Sequence, residues 1–342
     1  MRHFPVKSLS ALALSSALLV LSACGSDNSS ETATSASPSA AVSSAASTAS
    51  PSASASPAKK IPASTNLDAI TVSGDYGKAP KVTVKSPWAI NKTQTLVLKP
   101  SDGATVKSGQ SVEVNYFGVD GRTGKKFDDS FSRGAPVAFN LDQVVAGFKK
   151  GLVGQKQGSR VLVAMPGSDG YDASGGSPEA GINVGDSLIF VVDVVGVQLS
   201  EPQGAKVAPK AGLPTVTGAL DKPSITVPKT DPPTTLVAQP LITGKGKKIA
   251  ATDTITFNYR WVAWKDGRLL EESYSQPAAG SAPLAQLLPG MQKGLVNQTV
   301  GSRVLLVIPP AEAYPNGNEK PKVAKGETLV MVVDLLFTAA GQ

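Results

Sequence analysis

The chain has 342 residues, 41 % of them apolar, and a net charge of +7 at pH 7. Its lysines are scattered rather than gathered in a basic run, which argues against a nucleic-acid-binding protein. The only histidine is His3 and the only cysteine is Cys24, and both lie where we expect a segment to be removed or acylated. Catalysis by a Ser–His or Cys–His pair, zinc bound by histidine and thiol redox chemistry are therefore excluded, so we expect no cofactor and no metal.

The first residues have the composition of an export signal. Arg2 and Lys7 precede an apolar stretch over 9–20 that is too short to span a membrane. The stretch ends in Leu-Ser-Ala-Cys over 21–24, which resembles the bacterial lipobox, in which the cysteine is acylated. We therefore predict a lipoprotein signal peptide over 1–23 and a lipid anchor at Cys24 on the extracytoplasmic face of the cell membrane. An ordinary secretory signal is the alternative.

A low-complexity segment follows the signal. Residues 24–60 are almost wholly Ser, Ala, Thr and Pro, a composition that cannot bury a core and predicts a disordered tether. A flexible chain of about 35 residues reaches roughly 30–35 Å, enough to hold a domain clear of a bilayer.

The rest of the chain is an internal repeat with a period of about 143 residues. Asn115-Tyr116 has its counterpart in Asn258-Tyr259, and Tyr171 has its counterpart in Tyr314. The segment between the copies is rich in Pro, Gly, Lys and Ala. We predict five regions: the signal peptide 1–23, the tether 24–60, domain 1 over 61–200 with a core at 94–198, a linker 201–214, and domain 2 over 215–342 with a core at 234–338.

Most elements of each copy are predicted to be strands. Val112, Val114 and Tyr116 alternate with polar residues, which predicts a strand with one buried face. The run 161–165 shows the same alternation, and 187–195 is rich in β-branched residues.

One helix is predicted in the first copy, over 142–152. Asp142 occupies the N-cap position, four apolar residues share one face, and Gly151 marks the end. The stretches 61–92 and 213–231, which precede the copies, read as additional strands. The predicted fold class is α+β, with two tandem domains that each wrap an antiparallel sheet over one short helix.

Four motifs follow one another in the first copy. Val-Asn-Tyr occupies 114–116, Gly-Lys-Lys-Phe-Asp-Asp-Ser occupies 124–130, Val-Val-Ala-Gly-Phe occupies 144–148, and Tyr171 follows a Pro-Gly turn. In this order, over 94–197, they resemble the FKBP-type peptidyl-prolyl cis-trans isomerases, the macrolide-binding immunophilins. The first copy is similar to one FKBP domain, and the second copy predicts a tandem arrangement.

The resemblance implies a water-poor aromatic pocket that grips a prolyl ring. The catalytic side chains it implies are Tyr116, Phe127, Asp128, Phe148, Tyr171 and Phe190. The substrate-binding residues it implies are Arg133, Val137, Val144, Val145 and Ile182. Asp128 is expected to be held by Tyr116 and Arg133, and Tyr171 to donate a hydrogen bond to a substrate carbonyl. Taken singly, each is more readily a packing residue; only their joint order predicts a pocket.

Such a pocket needs no nucleophile. Rotation about an amide C–N bond costs about 18–20 kcal/mol because resonance is lost, and X–Pro exchange takes tens to hundreds of seconds. The twisted amide is less charge-separated than the planar one, so a dry aromatic site disfavours the ground state relative to the twisted state. A chain without histidine or a free thiol can therefore still be an isomerase.

Three residues depart from the family pattern. Phe148 stands where the family usually has a tryptophan, Val137 where a phenylalanine is frequent, and Asp172 where a glycine follows the tyrosine. The first keeps an aromatic floor, and the other two are expected to reshape the rim.

The second copy matches the pattern less well. Its predicted groove is lined by Tyr259, Leu270, Glu271, Leu288, Met291, Tyr314, Val323 and Met331. In this reading all aromatic walls except the two tyrosines are lost, which leaves a softer apolar groove. Trp261 and Trp264 read as ordinary sheet packing, with an extra apolar contact surface as the alternative. We expect a domain of low activity or one that holds peptides.

These observations predict an extracytoplasmic, membrane-anchored isomerase, active mainly through domain 1, that assists the folding of proline-containing exported polypeptides. The resemblance also implies at least weak binding of pipecolyl macrolides to the first copy; no nucleic-acid partner is expected. The alternative is a non-catalytic, chaperone-like lipoprotein that binds peptides in the same grooves. Adhesive β-sandwich repeats are a third interpretation. A solute-binding lipoprotein is disfavoured because strands and helices do not alternate.

Overall fold

The computed structural model describes residues 61–341, which form two successive β-rich domains. The predicted signal peptide over 1–23, the lipid anchor Cys24 and the tether over 24–60 lie outside the described residues. Between residues 61 and 341, no helix combines the length and the apolar character needed to cross a bilayer.

Short strands and one α-helix make up the first half of the described chain. They are β1 (Ala63–Ser64), β2 (Ile70–Ser73), β3 (Lys81–Val84), β4 (Ala89–Ile90), β5 (Gln94–Lys99), β6 (Ser111–Asp120), β7 (Lys126–Asp129), β8 (Val137–Asn140), α1 (Ala146–Leu152), β9 (Arg160–Met165) and β10 (Leu188–Val197).

The second half repeats this plan. Its elements are β11 (Gly204–Lys206), β12 (Thr215–Ala219), β13 (Lys222–Thr226), β14 (Val237–Gly244), β15 (Thr254–Ala263), β16 (Leu269–Glu272), β17 (Gly280–Pro283), α2 (Pro289–Leu295), β18 (Arg303–Ile308) and β19 (Leu329–Ala339).

Each domain is built on one antiparallel sheet. The strand order is β5-β9-β10-β6-β7 in the first sheet, with β8 also paired to β6, and β11-β14-β18-β19-β15-β16 in the second, with β17 paired to β15. Helix α1 packs against β9, and helix α2 against β18. This arrangement confirms the predicted α+β class, with a short helix packed on an antiparallel sheet.

A second core lies on the outer face of each sheet, opposite the helix. In the first domain, the β2–β3 hairpin and Trp88 pack over alternate residues of β9 and β10, including Leu162 and Val191. In the second domain, the β12–β13 hairpin packs in the same way over Leu305 and Val332. The stretches before the two copies thus form separate two-stranded hairpins that cover the outer faces of the sheets.

These hairpins explain one wrong prediction. Strands β6 and β9 were expected to bury one face, but every residue of β9 is buried and most of β6 is buried too. Alternation of apolar residues with short or polar ones along a strand predicts that only the apolar face is buried. Here the outer face is covered by the hairpin, and Glu113 is covered by Lys247 of the second domain, at 2.8 Å from Nζ to Oε1.

The helix begins later than the sequence suggested. Asn140 holds the preceding turn: its side-chain oxygen accepts the N–H of Asp142 at 2.8 Å, and its carbonyl accepts the N–H of Gln143 at 3.0 Å. Asp142 is therefore not the N-cap, and α1 starts at Ala146 after an extended Val145. The helix then lies close on the sheet, because a Cβ on Gly151 would come 2.4 Å from Val163.

The segment 201–214, interpreted as a joint, contributes to the second sheet. Strand β11 pairs antiparallel with β14, from Gly204 opposite Gly244 to Lys206 opposite Ile242. Just before it, the Gln203 N–H donates to the carbonyl of Gly301 at 2.9 Å. Residues 203–206 of this segment are therefore held to the second domain by backbone hydrogen bonds.

Candidate active site

Three phenylalanines from three separate elements meet in the first domain. The ring of Phe190, on β10, lies 5.5 Å from that of Phe127 on β7 and 5.4 Å from that of Phe148 on α1, with both pairs edge to face. Phe148 and Phe190 are buried, and Phe127 is half-buried beside them. Edge-to-face packing fixes the rings in position and leaves one shared apolar surface.

A fourth ring, which sequence reasoning missed, completes this surface. Phe139 on β8 lies 6.0 Å from the ring of Tyr116 and 5.9 Å from that of Phe148. The sequence placed only Val137 on this strand, where the family often has phenylalanine. Because alternate strand residues share a face, Val137 and Phe139 point the same way, and this spacing was the signal that could have found Phe139.

The polar edge of the site is a triad of Tyr116, Asp128 and Arg133. The Tyr116 hydroxyl donates to Asp128 Oδ2, and Arg133 donates both to Asp128 Oδ1 and to the Tyr116 hydroxyl, each at 2.7 Å. Burial and the bond to Asp128 raise the pKa of Tyr116 to about 12. Burial favours a higher pKa for Asp128, but the bonds from Tyr116 and Arg133 outweigh it, so the pKa lies below its ordinary value.

Tyr171 packs beside the same cluster, and its hydroxyl is unpaired among residues 61–341. The ring packs half-buried against the aromatic cluster, and none of the residues 61–341 accepts or donates a hydrogen bond at its hydroxyl. Burial, followed by the charge of Asp128, raises the pKa of Tyr171, so the group is a neutral phenol near pH 7 with a proton to donate.

Asp172, the departure after this tyrosine, holds the rim. Its Oδ1 accepts the N–H of Gly185 at 2.7 Å. The carboxylate thus joins the turn that follows Tyr171 to the loop that precedes β10.

The other predicted substrate contacts pack around the same aromatic cluster. Ile182 is buried in the inner core, and Val137, Val144 and Val145 pack half-buried against it. Val144 and Val145 precede α1 rather than belong to it. The structure therefore brings all eleven residues predicted for the first site into one cluster or onto its edge.

Gly118 makes room for the Phe127 wall. It lies on β6, and a Cβ at this position would come 2.5 Å from Cζ of Phe127. Atoms do not approach so closely, so the ring can lie over the strand only because the residue beneath it has no side chain. The sequence pattern gave no indication of this contact.

The second domain retains part of this arrangement. The Tyr259 hydroxyl donates to Glu271 Oε1 at 2.7 Å, as Tyr116 does to Asp128. Burial, followed by the bond to Glu271, raises the pKa of Tyr259. Met291, Val323 and Met331 are buried, whereas Leu270, Leu288 and Tyr314 pack half-buried against the same core. Gln276 stands at the position of Arg133, and within the described part of the chain no arginine is bonded to Glu271.

A third aromatic ring lies beside the two tyrosines of the second domain. Trp261 belongs to the core that packs against the helix, and its ring lies 5.6 Å from that of Tyr259. Trp264, by contrast, packs in the outer core and donates to the carbonyl of Thr230 at 2.9 Å. Both tryptophans are therefore packed on the sheet, on its two opposite faces.

The first site is suited to amide rotation rather than to bond cleavage. Its walls are aromatic, its one carboxylate is held by a tyrosine and an arginine, and it offers a free phenol as a donor. An apolar surface disfavours the charge-separated planar amide, and a donor at a flanking carbonyl positions the chain. The cluster contains no nucleophile paired with a base.

The comparisons with known proteins agree with this geometry. The family model described as FKBP-type peptidyl-prolyl cis-trans isomerase matches residues 103–195 and 245–336. A probable FK506-binding protein of Corynebacterium glutamicum is 37 % identical over 95 residues, which cover 28 % of this chain and 77 % of that protein. An FK506-binding protein of Streptomyces anulatus is 41 % identical over 101 residues, covering 28 % and 78 %.

A third relative is longer than the matched region. The FKBP-type isomerase FkpA of Escherichia coli is 34 % identical over 112 residues, which cover 32 % of this chain and 39 % of that protein. The family model matches both halves of the chain, and each half has the same sheet and helix. The chain therefore belongs to the FKBP-type peptidyl-prolyl cis-trans isomerase family, and it is an isomerase with two FKBP domains in tandem.

Proposed function

We propose that the chain is a lipid-anchored isomerase that acts outside the cytoplasm on proline-containing exported polypeptides, with its turnover mainly in domain 1. The observation that carries the assignment to domain 1 is the cluster of four phenylalanines beside the Tyr116–Asp128–Arg133 triad. The equivalent cluster of domain 2 has methionine and leucine in place of three of these rings.

The aromatic rings, the phenol and the triad of the first site contribute to catalysis in different ways. The Phe127, Phe148 and Phe190 rings enclose the prolyl ring and exclude water from the rotating amide. The Tyr171 hydroxyl donates to a carbonyl next to the proline, and its raised pKa keeps it protonated. Arg133 and Tyr116 hold Asp128 at the edge, where its charge lies near the carbonyl carbon of the planar amide.

The turnover assignment is tested on the full chain with an Ala-Leu-Pro-Phe anilide in a protease-coupled assay. Phe127→Ala removes a wall of the hollow, so we expect kcat/KM to fall about 10- to 100-fold. Tyr171→Phe removes one hydrogen bond, so we expect a fall of about 3- to 10-fold. A pipecolyl macrolide is expected to inhibit the parent chain by occupying the same hollow.

Phe117→Ala is the matched control, because Phe117 is next to Tyr116 in sequence but packs on the outer face of the sheet. We expect kcat/KM to stay within about twofold of the parent, since only the outer core loses contacts. Equal losses in Phe117→Ala and Phe127→Ala, or unchanged turnover after both pocket changes, would contradict the assignment.

The membrane assignment rests on the sequence around Cys24 and needs its own test. In a bacterial expression host, the parent chain is expected to fractionate with membranes and to incorporate a labelled fatty acid. Cys24→Ala is expected to lose the label and move to the soluble fraction. A label retained after Cys24→Ala contradicts the anchor.

Peptide holding without turnover is the second candidate, favoured by the loss of the guanidinium and of three phenyl rings in domain 2. A chain that suppresses aggregation of an unfolded protein but leaves X–Pro exchange unchanged would be of this kind. The two assays, run on the same preparation, separate the candidates.

A further inference from the structure

The second domain places a large aromatic side chain where the first domain has none. Gly118 of β6 is paired with Phe190 of β10, and Trp261 of β15 is paired with Met331 of β19. The two positions are thus equivalent by strand register as well as by sequence spacing.

The residue that faces this position lies in a β-bulge in both domains. It is Phe127 in β7 and Leu270 in β16. Because Phe127 already lies within 2.5 Å of a Cβ built on Gly118, a phenylalanine at 270 would collide with the indole of Trp261. Leu270 is small enough to lie beside Trp261. The aromatic side chain is therefore on the bulge in domain 1, as Phe127, and on the neighbouring strand in domain 2, as Trp261.

The indole lies in the groove core and has an unsatisfied donor. Trp261 is 8 % exposed and packs with Met291, Met331 and Leu270. Its Nε1 is buried without a hydrogen-bond partner among residues 61–341. A buried unpaired donor destabilises the fold, and flexible methionine and leucine neighbours can shift to admit an acceptor.

The polar frame around this ring keeps three of the four members found in the first domain and lacks only the arginine. Tyr259 is bonded to Glu271 at 2.7 Å, and the Tyr314 hydroxyl has no partner among residues 61–341. The frame therefore retains a carboxylate and a free phenol. What differs is the apolar surface between them.

We propose that Trp261 is the specificity-determining residue of domain 2, and that an extended proline-containing segment binds against its indole. This inference rests on the proposed function, because it assigns domain 2 the same class of substrate. Proline rings pack well on indole faces, and a peptide carbonyl supplies the acceptor that Nε1 lacks. With no phenyl wall on the bulge, domain 2 holds the segment and turns it over slowly.

Trp261 fluorescence tests the proposal in the full chain. Trp88→Phe and Trp264→Phe leave Trp261 as the sole indole, and Phe127→Ala with Tyr171→Phe weakens competition from domain 1. Titration with the peptide Ala-Leu-Pro-Phe is expected to shift the emission saturably, and Ala-Leu-Ala-Phe to shift it far less. No saturable change, or equal changes with both peptides, would overturn the proposal.

Variants at the two tryptophans sharpen the test, with Kd measured by calorimetry. In chains that keep the weakened domain 1, Trp261→Leu is expected to raise Kd for the proline peptide about tenfold, and Trp261→Phe to raise it less. Trp264→Phe, three residues away on the outer face, is expected to leave Kd unchanged. Trp261→Phe keeps a ring in the core, so it remains informative if Trp261→Leu unfolds domain 2. Equal Kd values for all three overturn the proposal.

Failure of this inference is distinguishable from failure of the proposed function. Turnover by a chain with unmutated domain 1 is measured in parallel. If that chain turns over the peptide but Trp261 does not respond, the inference about domain 2 is overturned and the proposed function is not. A saturable Trp261 response in a chain whose intact domain 1 shows no turnover supports the binding role and overturns the assignment of catalysis to domain 1.

Discussion

The buried ion pair between Arg160 and Asp193 is expected to control the stability of the first domain. The two residues lie opposite each other on β9 and β10, with 2.6 Å between Nε and Oδ1, and both are almost fully buried. Arg160 also donates to the carbonyls of Gly74 and Lys78 at 2.8 and 2.7 Å, and Gly77 N–H donates to Asp193 at 2.7 Å. The pair thus fastens the turn of the β2–β3 hairpin to the sheet.

Arg160→Met removes one half of this pair and leaves a carboxylate in a closed environment. Breaking a buried pair by removing one partner costs about 3–5 kcal/mol. We therefore expect the unfolding free energy of the first domain to fall by about this amount. Replacing both partners, as Arg160→Met with Asp193→Leu, removes the unpaired charge and is expected to recover most of the loss. About 1–2 kcal/mol remains missing, because the carbonyls of Gly74 and Lys78 lose their donor and the Gly77 N–H loses its acceptor.

Urea unfolding of the full chain measures the free energy of unfolding of the first domain if a probe follows that domain alone. A separate probe is needed because a chain of two domains does not unfold in a single two-state transition. Trp88 packs under the hairpin, so Trp261→Phe with Trp264→Phe makes the emission report on the first domain. Arg303→Met, at the equivalent pair with Asp334, is the control and should leave the Trp88 transition in place. A loss below about 1 kcal/mol in Arg160→Met, or a double variant as unstable as the single one, would refute the reasoning.

Three further changes follow from the site geometry. Gly118→Ala is expected to displace the Phe127 ring, lowering stability by about 1–3 kcal/mol and lowering kcat/KM in the coupled assay; an unchanged kcat/KM would contradict the contact. Because the Asp128 pKa is lowered in the fold, its contribution to stability is present above its ordinary pKa and is lost as pH falls through the lower folded value. Turnover should therefore be flat between about pH 5 and 9, and a bell-shaped profile there would count against the mechanism. Trp261→Gly with Leu270→Phe recreates the first arrangement and should raise turnover in a chain whose domain 1 carries Phe127→Ala, whereas Leu270→Phe alone should destabilise domain 2.

Much of the fold could be predicted because its signals are local. Strand alternation and each FKBP motif depend on residues close in sequence, and the repeat and the order of the motifs are read directly along the chain. Together they identified the sheet, the family and the first aromatic cluster. The start of α1 was missed because the Asn140 side chain competes for the N–H of Asp142. A side chain that bonds the backbone of a turn can override an N-cap signal two residues later.

What could not be predicted depends on contacts across strands. The outer cores form because hairpins from 61–92 and 213–231 fold back over the sheets, and no periodicity within a strand reveals that cover. The packing of Trp261 beside Tyr259 was missed for a similar reason. Its place in the groove depends on the bulge that brings Leu270 over it, and a bulge is a property of two paired strands.

The two domains differ in their grooves while their scaffolds stay the same, and the distribution of stabilising contacts explains why. Both hairpins, both outer cores and both buried Arg–Asp pairs lie on the side of the sheet opposite the groove. Substitutions at groove positions such as Phe127 and Leu270 leave these contacts in place, so they alter the apolar surface without removing the interactions that hold each sheet to its hairpin. A fold whose stability is concentrated away from its binding face tolerates an exchange of glycine and phenylalanine for tryptophan and leucine, provided that the facing residues change together.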